Sequence, residues 1–215
     1  RSRLGGGLPS GTPGVLAAQR AWTEAVPVMA HLAPLLDGEP GKPVAVETEV
    51  GGWRLNAVLE NVGPKGQVLW SVDALSPWVM LRAWCAHLLL NSDASAPSHH
   101  THLVDVEGVV SFLPEEGAVS TLHELVGLYR EGLCRPLPFF PRSAWAYVSA
   151  AKTPLANAYR TWAGSEHASA VGESADPFFA LAFRDRLDTV LDSEFESLAS
   201  LVFDTPAQRV QEARG

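Results

Sequence analysis

The densest run of side chains able to do metal chemistry is His99-His100-Thr101-His102. In an extended segment His100 and His102 share a face, and Asp105 or Glu107 would complete a zinc or manganese site. Nothing in the spacing fixes a third or fourth ligand, so a polar loop entering a strand is the preferred reading. His123-Glu124 opens like a zinc-protease pair, but the second histidine belongs one turn further on, where Gly127 stands. That chemistry is excluded. Four carboxylates, Glu47, Glu49, Glu60 and Asp73, fall in or beside strand-like runs and would hold a divalent ion only if the fold gathered them. Cys85 and Cys134 make neither a disulfide framework nor a cysteine zinc site. Both lie in apolar surroundings, so reduced, buried thiols and a cytoplasmic setting are expected. The sequence carries no G-x-S-x-G elbow, P-loop or dinucleotide fingerprint, which leaves acyl transfer, NTP hydrolysis and Rossmann chemistry without support.

A second kind of chemistry is phosphate binding. The chain has a net charge of −8, which argues against a wide basic surface that coats DNA unaided. The charge is uneven, however. Residues 130–160 hold Arg130, Arg135, Arg142, Lys152 and Arg160 against Glu131 alone, interleaved with Phe139, Phe140, Trp145, Tyr147 and Tyr159. Basic groups among aromatics suit phosphate and base contacts. The plainer alternative makes the aromatics core and the arginines a solvated face, and taken alone this segment favours it.

The elements that must position these groups follow from periodicity. Residues 1–13, rich in Gly, Pro and Ser, read as a linker. Gly14 to Leu36 is helical with a split at Pro27, its apolar positions being Leu16, Trp22, Val26, Met29, Leu32 and Leu36. A turn at Asp37 to Pro43 leads to two alternating strands, Val44 to Glu49 and Trp53 to Glu60, joined by Gly51-Gly52. Gly63-Pro64-Lys65-Gly66 turns into a buried strand, Val68 to Val72. Ser76-Pro77 caps a helix running to about Leu90, with Leu81, Trp84, Cys85 and Leu88 on one stripe. Strands follow at His102 to Val106 and Val109 to Leu113. Thr121-x-x-Glu124 is a capping box for a helix with the stripe Leu122, Leu125, Val126, Tyr129 and Leu133. The remainder is helical, with starts at Pro141, Thr153-Pro154 and Asp176-Pro177. At 215 residues, nearly half apolar, the chain fits one globular domain with a helical appendage. No apolar run reaches the roughly 20 residues that span a bilayer, so no membrane partner is expected. The opening Arg1-Ser2-Arg3 is no signal segment, and the missing initiator Met is read as a piece of a longer polypeptide.

The order helix, three strands, helix, strand is that of the PD-(D/E)xK nuclease core. There the second strand bears an aspartate and the third an Asp-x-Lys, which together hold Mg²⁺ for water activation. Here Val58 or Leu59 falls at the first position. On the third strand one register offers Trp70 and Val72, the other Asp73 and Leu75. Neither restores the set. The expected fold is therefore α/β, with a nuclease-like core at 14–135, its catalytic residues lost, and a helical extension at 136–215 packed on it.

Several stretches carry a resemblance to a known family. They are Leu8-Pro9-Ser10-Gly11-Thr12-Pro13-Gly14, Gly52-Trp53-Arg54-Leu55, Leu81-Arg82-Ala83-Trp84-Cys85-Ala86-His87-Leu88 and Leu128-Tyr129-Arg130-Glu131-Gly132-Leu133. The most specific is Pro136-Leu137-Pro138-Phe139-Phe140-Pro141-Arg142-Ser143-Ala144-Trp145, with Trp162 and Gly172-Glu173 leading to Asp176-Pro177. Together they resemble the C-terminal domain of RecC, the gamma subunit of exodeoxyribonuclease V. The resemblance implies a nuclease-like fold without an active site, in a heterotrimer with RecB-like and RecD-like motor subunits. Such a complex binds double-stranded DNA ends, separates the strands and degrades them for recombinational repair. It further implies that this domain holds no cofactor, ATP and Mg²⁺ belonging to the partners, and that it helps split the duplex. Candidate DNA contacts are Trp53 and Arg54 on the hairpin, Lys65 in the next turn, and Arg135 and Arg142. The alternative is an active Mg²⁺-dependent nuclease using Glu47, Glu60 and Asp73.

Overall fold

The computed structural model describes residues 11–36, 41–165 and 170–214. The linker over residues 1–10, the turn residues Asp37 to Pro40 and the start of the acidic tail at Glu166 lie outside them. Within these residues the chain runs α1 (Thr12–Leu36), β1 (Lys42–Val50), β2 (Trp53–Gly63), β3 (Gly66–Trp70), α2 (Pro77–Ser92), β4 (Thr101–Asp105), β5 (Gly108–Phe112) and α3 (Ala118–Cys134). After α3 come α4 (Pro141–Val148), α5 (Pro154–Ala163), the two-residue strands β6 (Gly164–Ser165) and β7 (Ala170–Val171), a short 3-10 turn, α6 (Pro177–Ala182) and α7 (Ser193–Arg214). The class is α/β, as expected, although the β6–β7 ladder breaks an otherwise helical second half.

Strands β1 to β5 form one sheet in sequence order. Every neighbouring pair is antiparallel except β3 and β4, which run parallel. A parallel pair needs a crossover, and α2 supplies it. The expected hairpin is present. Gly51 and Gly52 take φ of +56° and +78°, the left-handed pair that a two-residue turn between twisted strands requires. Val46, Val50 and Leu59 face inward while Glu47, Glu49 and Arg54 face out, which is the period-two pattern read from the sequence.

Helices cover both faces of the sheet. On one, Val28, Leu32, Leu35 and Leu36 of α1 pack on Val68 and Val104. On the other, α2 packs Met80, Ala83, Trp84 and Leu88 against Val50, Leu103 and Phe112. α1 is a single helix through Pro27, not two. Pro27 is exposed, so the carbonyl it deprives of a partner is not trapped in the core. The apolar positions expected on that helix are largely outside: Leu16, Trp22, Val26 and Met29 are exposed.

Three further expectations need correction. β3 ends at Trp70 because Ser71 Oγ accepts from Asp73 N and turns the chain, leaving Val72 exposed. α3 begins at Ala118 with Gly117 at its cap, so Thr121 and Glu124 lie inside the helix and make no capping box. Cys134 is exposed at the last turn of α3, along with Tyr129 and Leu133, whereas Cys85 is half-buried and its thiol pKa is raised by that burial.

The single stripe expected on α2 is also too narrow. The helix lies between the sheet, α3, α4 and α7 and buries His87 completely. The imidazole stacks on Trp84 at 5.5 Å, and its Nδ1 stands 3.0 Å from Thr101 Oγ1. Burial, ahead of repulsion from His100, Arg209 and His99, lowers its pKa to about 4, against an opposing backbone hydrogen bond at Leu113. Between roughly pH 6.5 and 4 the unfolded chain therefore binds a proton that the folded chain refuses. Stability contributed by neutral His87 is fully present above that window and falls as pH drops through it. The expected loss is roughly 1–3 kcal/mol, read as unfolding free energy against pH. His87→Gln should flatten most of that slope, leaving the smaller part owed to His102, whose pKa burial also lowers. A slope unchanged by the substitution would disprove the assignment.

Candidate functional site

β2 and β3 stay paired only at Val62–Gln67 and Gly63–Gly66, although β2 extends back to Trp53. Asn61, at φ +57°, sits at the irregularity in β2, and beyond it the two strands part. A cleft of about 440 Å³ occupies the split, closed on one side by α2. It falls on the strand positions where nuclease carboxylates are expected. Val58, Leu59, Leu69 and Trp70 line it, and of the four candidate acids only Glu60 does. Glu47 and Glu49 instead face Arg54, at 3.4 and 3.8 Å, on the outer surface of the β1–β2 ladder. Asp73 is exposed in the turn after β3. The acids are dispersed.

The histidine run fares similarly. His100 and His102 do share a face, with rings parallel and centroids 6.3 Å apart. Both nitrogens of His102 are engaged, Nδ1 with Ser111 Oγ at 2.8 Å and Nε2 with the Lys65 carbonyl at 3.0 Å. His99 Nε2 meets the Asp93 carbonyl. Among the described residues no group of three or more His, Cys, Asp or Glu stands close enough to hold a metal ion.

The five candidate DNA contacts do not converge. Trp53 is 42% exposed and meets Tyr129 edge to face at 6.5 Å, so the hairpin leans on α3 rather than projecting. One side of its tip is also near α3, since a Cβ at Gly51 would come within 2.7 Å of the His123 ring, while Gly52 is open. Lys65 lies at the other end of β2, roughly 30 Å along the strand, and donates to the Pro34 carbonyl at the end of α1. Arg135 is held by Glu131 and Glu194, which raise its pKa further. Arg142 donates to the Val171 carbonyl at 3.1 Å. Of the aromatics of 130–160, Phe139, Phe140, Trp145 and Tyr147 follow the plainer reading, while Tyr159 is exposed. Phe140 is fully buried against Trp162, Phe179, Phe183 and Phe195, while Phe139 and Trp145 pack on Phe203.

Two cleft residues escaped the sequence reading. Gln67 is 1% exposed; its Nε2 donates to the Glu60 carbonyl at 3.3 Å, and its Oε1 has no partner among the described residues. The signal was a polar residue directly after the Gly66 turn, in a strand otherwise apolar. Arg82, on the outer side of α2, makes no ion pair or hydrogen bond among the described residues and lines the same cleft. Nothing in the spacing of Leu81-Arg82-Ala83 distinguishes it from an ordinary solvated arginine.

Comparison with known proteins gives the context. The chain is 27% identical over 151 residues to the RecBCD enzyme subunit RecC of Escherichia coli (strain K12). That stretch is 69% of this chain and 13% of the relative, so the similarity concerns a small part of a much longer protein. No helix among the described residues is long and apolar enough to cross a membrane. The profile of the RecC C-terminal domain matches residues 1–152, which is most of the sequence, and the chain belongs to that family.

Proposed function

We propose that this chain is a non-catalytic DNA-guiding and subunit-docking domain of a RecBCD-type helicase–nuclease, an exodeoxyribonuclease V acting on double-strand ends in the cytoplasm. The core, 14–135, is read as a nuclease-like fold whose site has lapsed, with 136–215 as a helical extension. One observation carries this reading. The cleft between β2 and β3 is lined by Val58, Leu59, Leu69 and Trp70 where metal-binding chemistry needs carboxylates and a lysine; Glu60 alone of the candidate acids lines it, while Glu47 and Glu49 face Arg54. The docking half is supported by the exposed apolar residues Trp22, Val26 and Met29 on α1, more apolar surface than a solvated helix face needs. The partners are RecB-like and RecD-like motors, which bring ATP and Mg²⁺. The nucleic acid is a double-stranded end and its separated strands.

With Arg54, Arg135 and Arg142 engaged by acids or a carbonyl, DNA guidance falls to groups that carry no ion pair among the described residues: Arg82, Arg130, Lys152 and Arg160. Each adds a modest, salt-sensitive phosphate contact. Trp53 and Lys65 keep a place as contacts at either end of β2.

Two measurements test the reading. The purified chain, incubated with linear DNA and Mg²⁺ or Mn²⁺, should cut no faster than buffer, and Asp73→Ala should change nothing. Metal-dependent cutting abolished by Asp73→Ala would establish the active nuclease instead. Photocrosslinking of forked DNA to the assembled complex should label this domain, and no label on it would reduce the domain to a scaffold.

A further inference from the structure

We infer that the cleft between β2, β3 and α2 binds one unpaired nucleotide, base inward and phosphate on Arg82. The inference rests on the DNA-guiding reading above and adds to it a site, a stoichiometry and a chemistry.

The volume of about 440 Å³ lies in the range of small-molecule sites and accommodates a nucleoside monophosphate. Leu59, Leu69, Val79, Ala83, Ala86 and Leu103 supply apolar walls suited to the body of a base. Among them lies Gln67, whose Oε1 is an acceptor with no donor among the described residues. A buried acceptor without a partner costs free energy that a matching donor recovers. The Nε2 bond to the Glu60 carbonyl orients the amide, leaving Oε1 as the free end. Every DNA base offers the complementary group, an exocyclic amine on adenine, cytosine and guanine, or a ring N–H on guanine and thymine. Recognition there is tolerant of sequence.

The second requirement is an anion. Arg20, Arg54, Arg135, Arg186, Arg209 and Arg214 all meet carboxylates, whereas Arg82 meets none among the described residues. A guanidinium offers a phosphate two parallel hydrogen bonds. The carboxylate of Glu60 on the same cleft disfavours a second phosphate and limits occupancy to one nucleotide. A peptide strand laid between the parted strands could offer a backbone N–H to Gln67 Oε1 but would bring no anion to Arg82.

The test is titration of the 215-residue chain, followed by NMR or calorimetry, with dAMP, adenosine and inorganic phosphate as separate probes. Saturable binding of dAMP is expected, about tenfold weaker binding of adenosine, and none of phosphate alone. Arg82→Gln should weaken dAMP to the level of adenosine. Gln67→Leu should weaken both dAMP and adenosine about tenfold while the melting temperature holds or rises, because the orphan carbonyl is gone. A merely structural Gln67 would instead lower the melting temperature. If Gln67→Leu fails to fold, Arg82→Gln, on an exposed residue, carries the test alone. No saturable dAMP binding at millimolar concentration, an Arg82→Gln protein that binds as wild type, or capture of an extended peptide in preference to dAMP overturns the inference. Fork crosslinking does not depend on the cleft, so a label there with no dAMP binding would sink this inference and leave the DNA-guiding reading standing.

Discussion

Glu173→Ala is expected to lower the unfolding free energy by about 4 kcal/mol, near the top of what one polar side chain contributes. Helix α4 starts at Pro141 after Phe140, which has no side-chain acceptor to serve the first turn. Its leading N–H groups are therefore orphans unless something distant reaches them. Glu173 does so from 30 residues along the chain. Its two oxygens accept from Arg142 N at 3.0 Å, Ser143 N at 2.8 Å and Ser143 Oγ at 2.8 Å, and its negative charge sits at the positive end of the helix. The residue is buried, so water cannot easily replace it. Glu173→Gln, which keeps the shape but turns an NH₂ toward a donor, should cost about half as much. Denaturant unfolding followed by Trp145 and Trp162 fluorescence measures both. A loss under about 1 kcal/mol for the alanine variant would show that solvent satisfies these groups after all.

The cap also bears on function. Arg142 stands where it does because Glu173 holds its backbone and the Val171 carbonyl holds its guanidinium. An arginine so constrained is a strut of the helical layer first. Any phosphate it contacted would compete with that bond.

Much local chemistry was legible in the sequence, the break at Pro27 and the Thr121-x-x-Glu124 cap being exceptions, and long-range chemistry was not. Gly51-Gly52, Ser76-Pro77, Pro141, Pro154 and Asp176-Pro177 each mark an element boundary because their own backbone preferences decide it. The alternation of β1 and β2 was readable because one face is buried. The parting of β2 from β3 was not, since it depends on Asn61 adopting a left-handed conformation within a register no pattern records. The aromatic and basic run 130–160 stayed ambiguous for a similar reason. Phe203, against which Phe139 and Trp145 pack, arrives more than 50 residues later, as does the Glu194 that takes Arg135. That apolar side chains hold the β2 and β3 positions lining the cleft was legible, because it needed only residue types at strand positions. The pairing of Gln67 with Arg82 at that cleft was not, because an acceptor and a cation that find no partner among the described residues are defined by what surrounds them.

Asp105→Ala should be comparably damaging, about 4 kcal/mol, and for a reason that separates backbone from charge. Asp105 is fully buried at the end of β4. Oδ1 accepts from Glu107 N at 2.9 Å and Gly108 N at 3.1 Å, shaping the turn into β5. Oδ2 accepts from Leu75 N at 3.2 Å, in the loop after β3, and from Arg214 Nη2 at 2.7 Å, at the end of α7. One carboxylate thus ties a turn, a loop and the last helix together. The Arg214 side chain is a quarter exposed and also reaches Glu107, so it can turn to water if Asp105 is lost. Most of the cost then lies in the three N–H groups, and Arg214→Ala should cost only about 1 kcal/mol. Amide hydrogen exchange adds a local readout, with Leu75 and Gly108 losing protection in Asp105→Ala but keeping it in Arg214→Ala. Equal losses from the two substitutions would make this an ion-pair anchor instead. Because the loop held through Leu75 begins at Ser71, on the cleft wall, Asp105→Ala should also weaken dAMP binding, whereas Arg214→Ala should leave it intact.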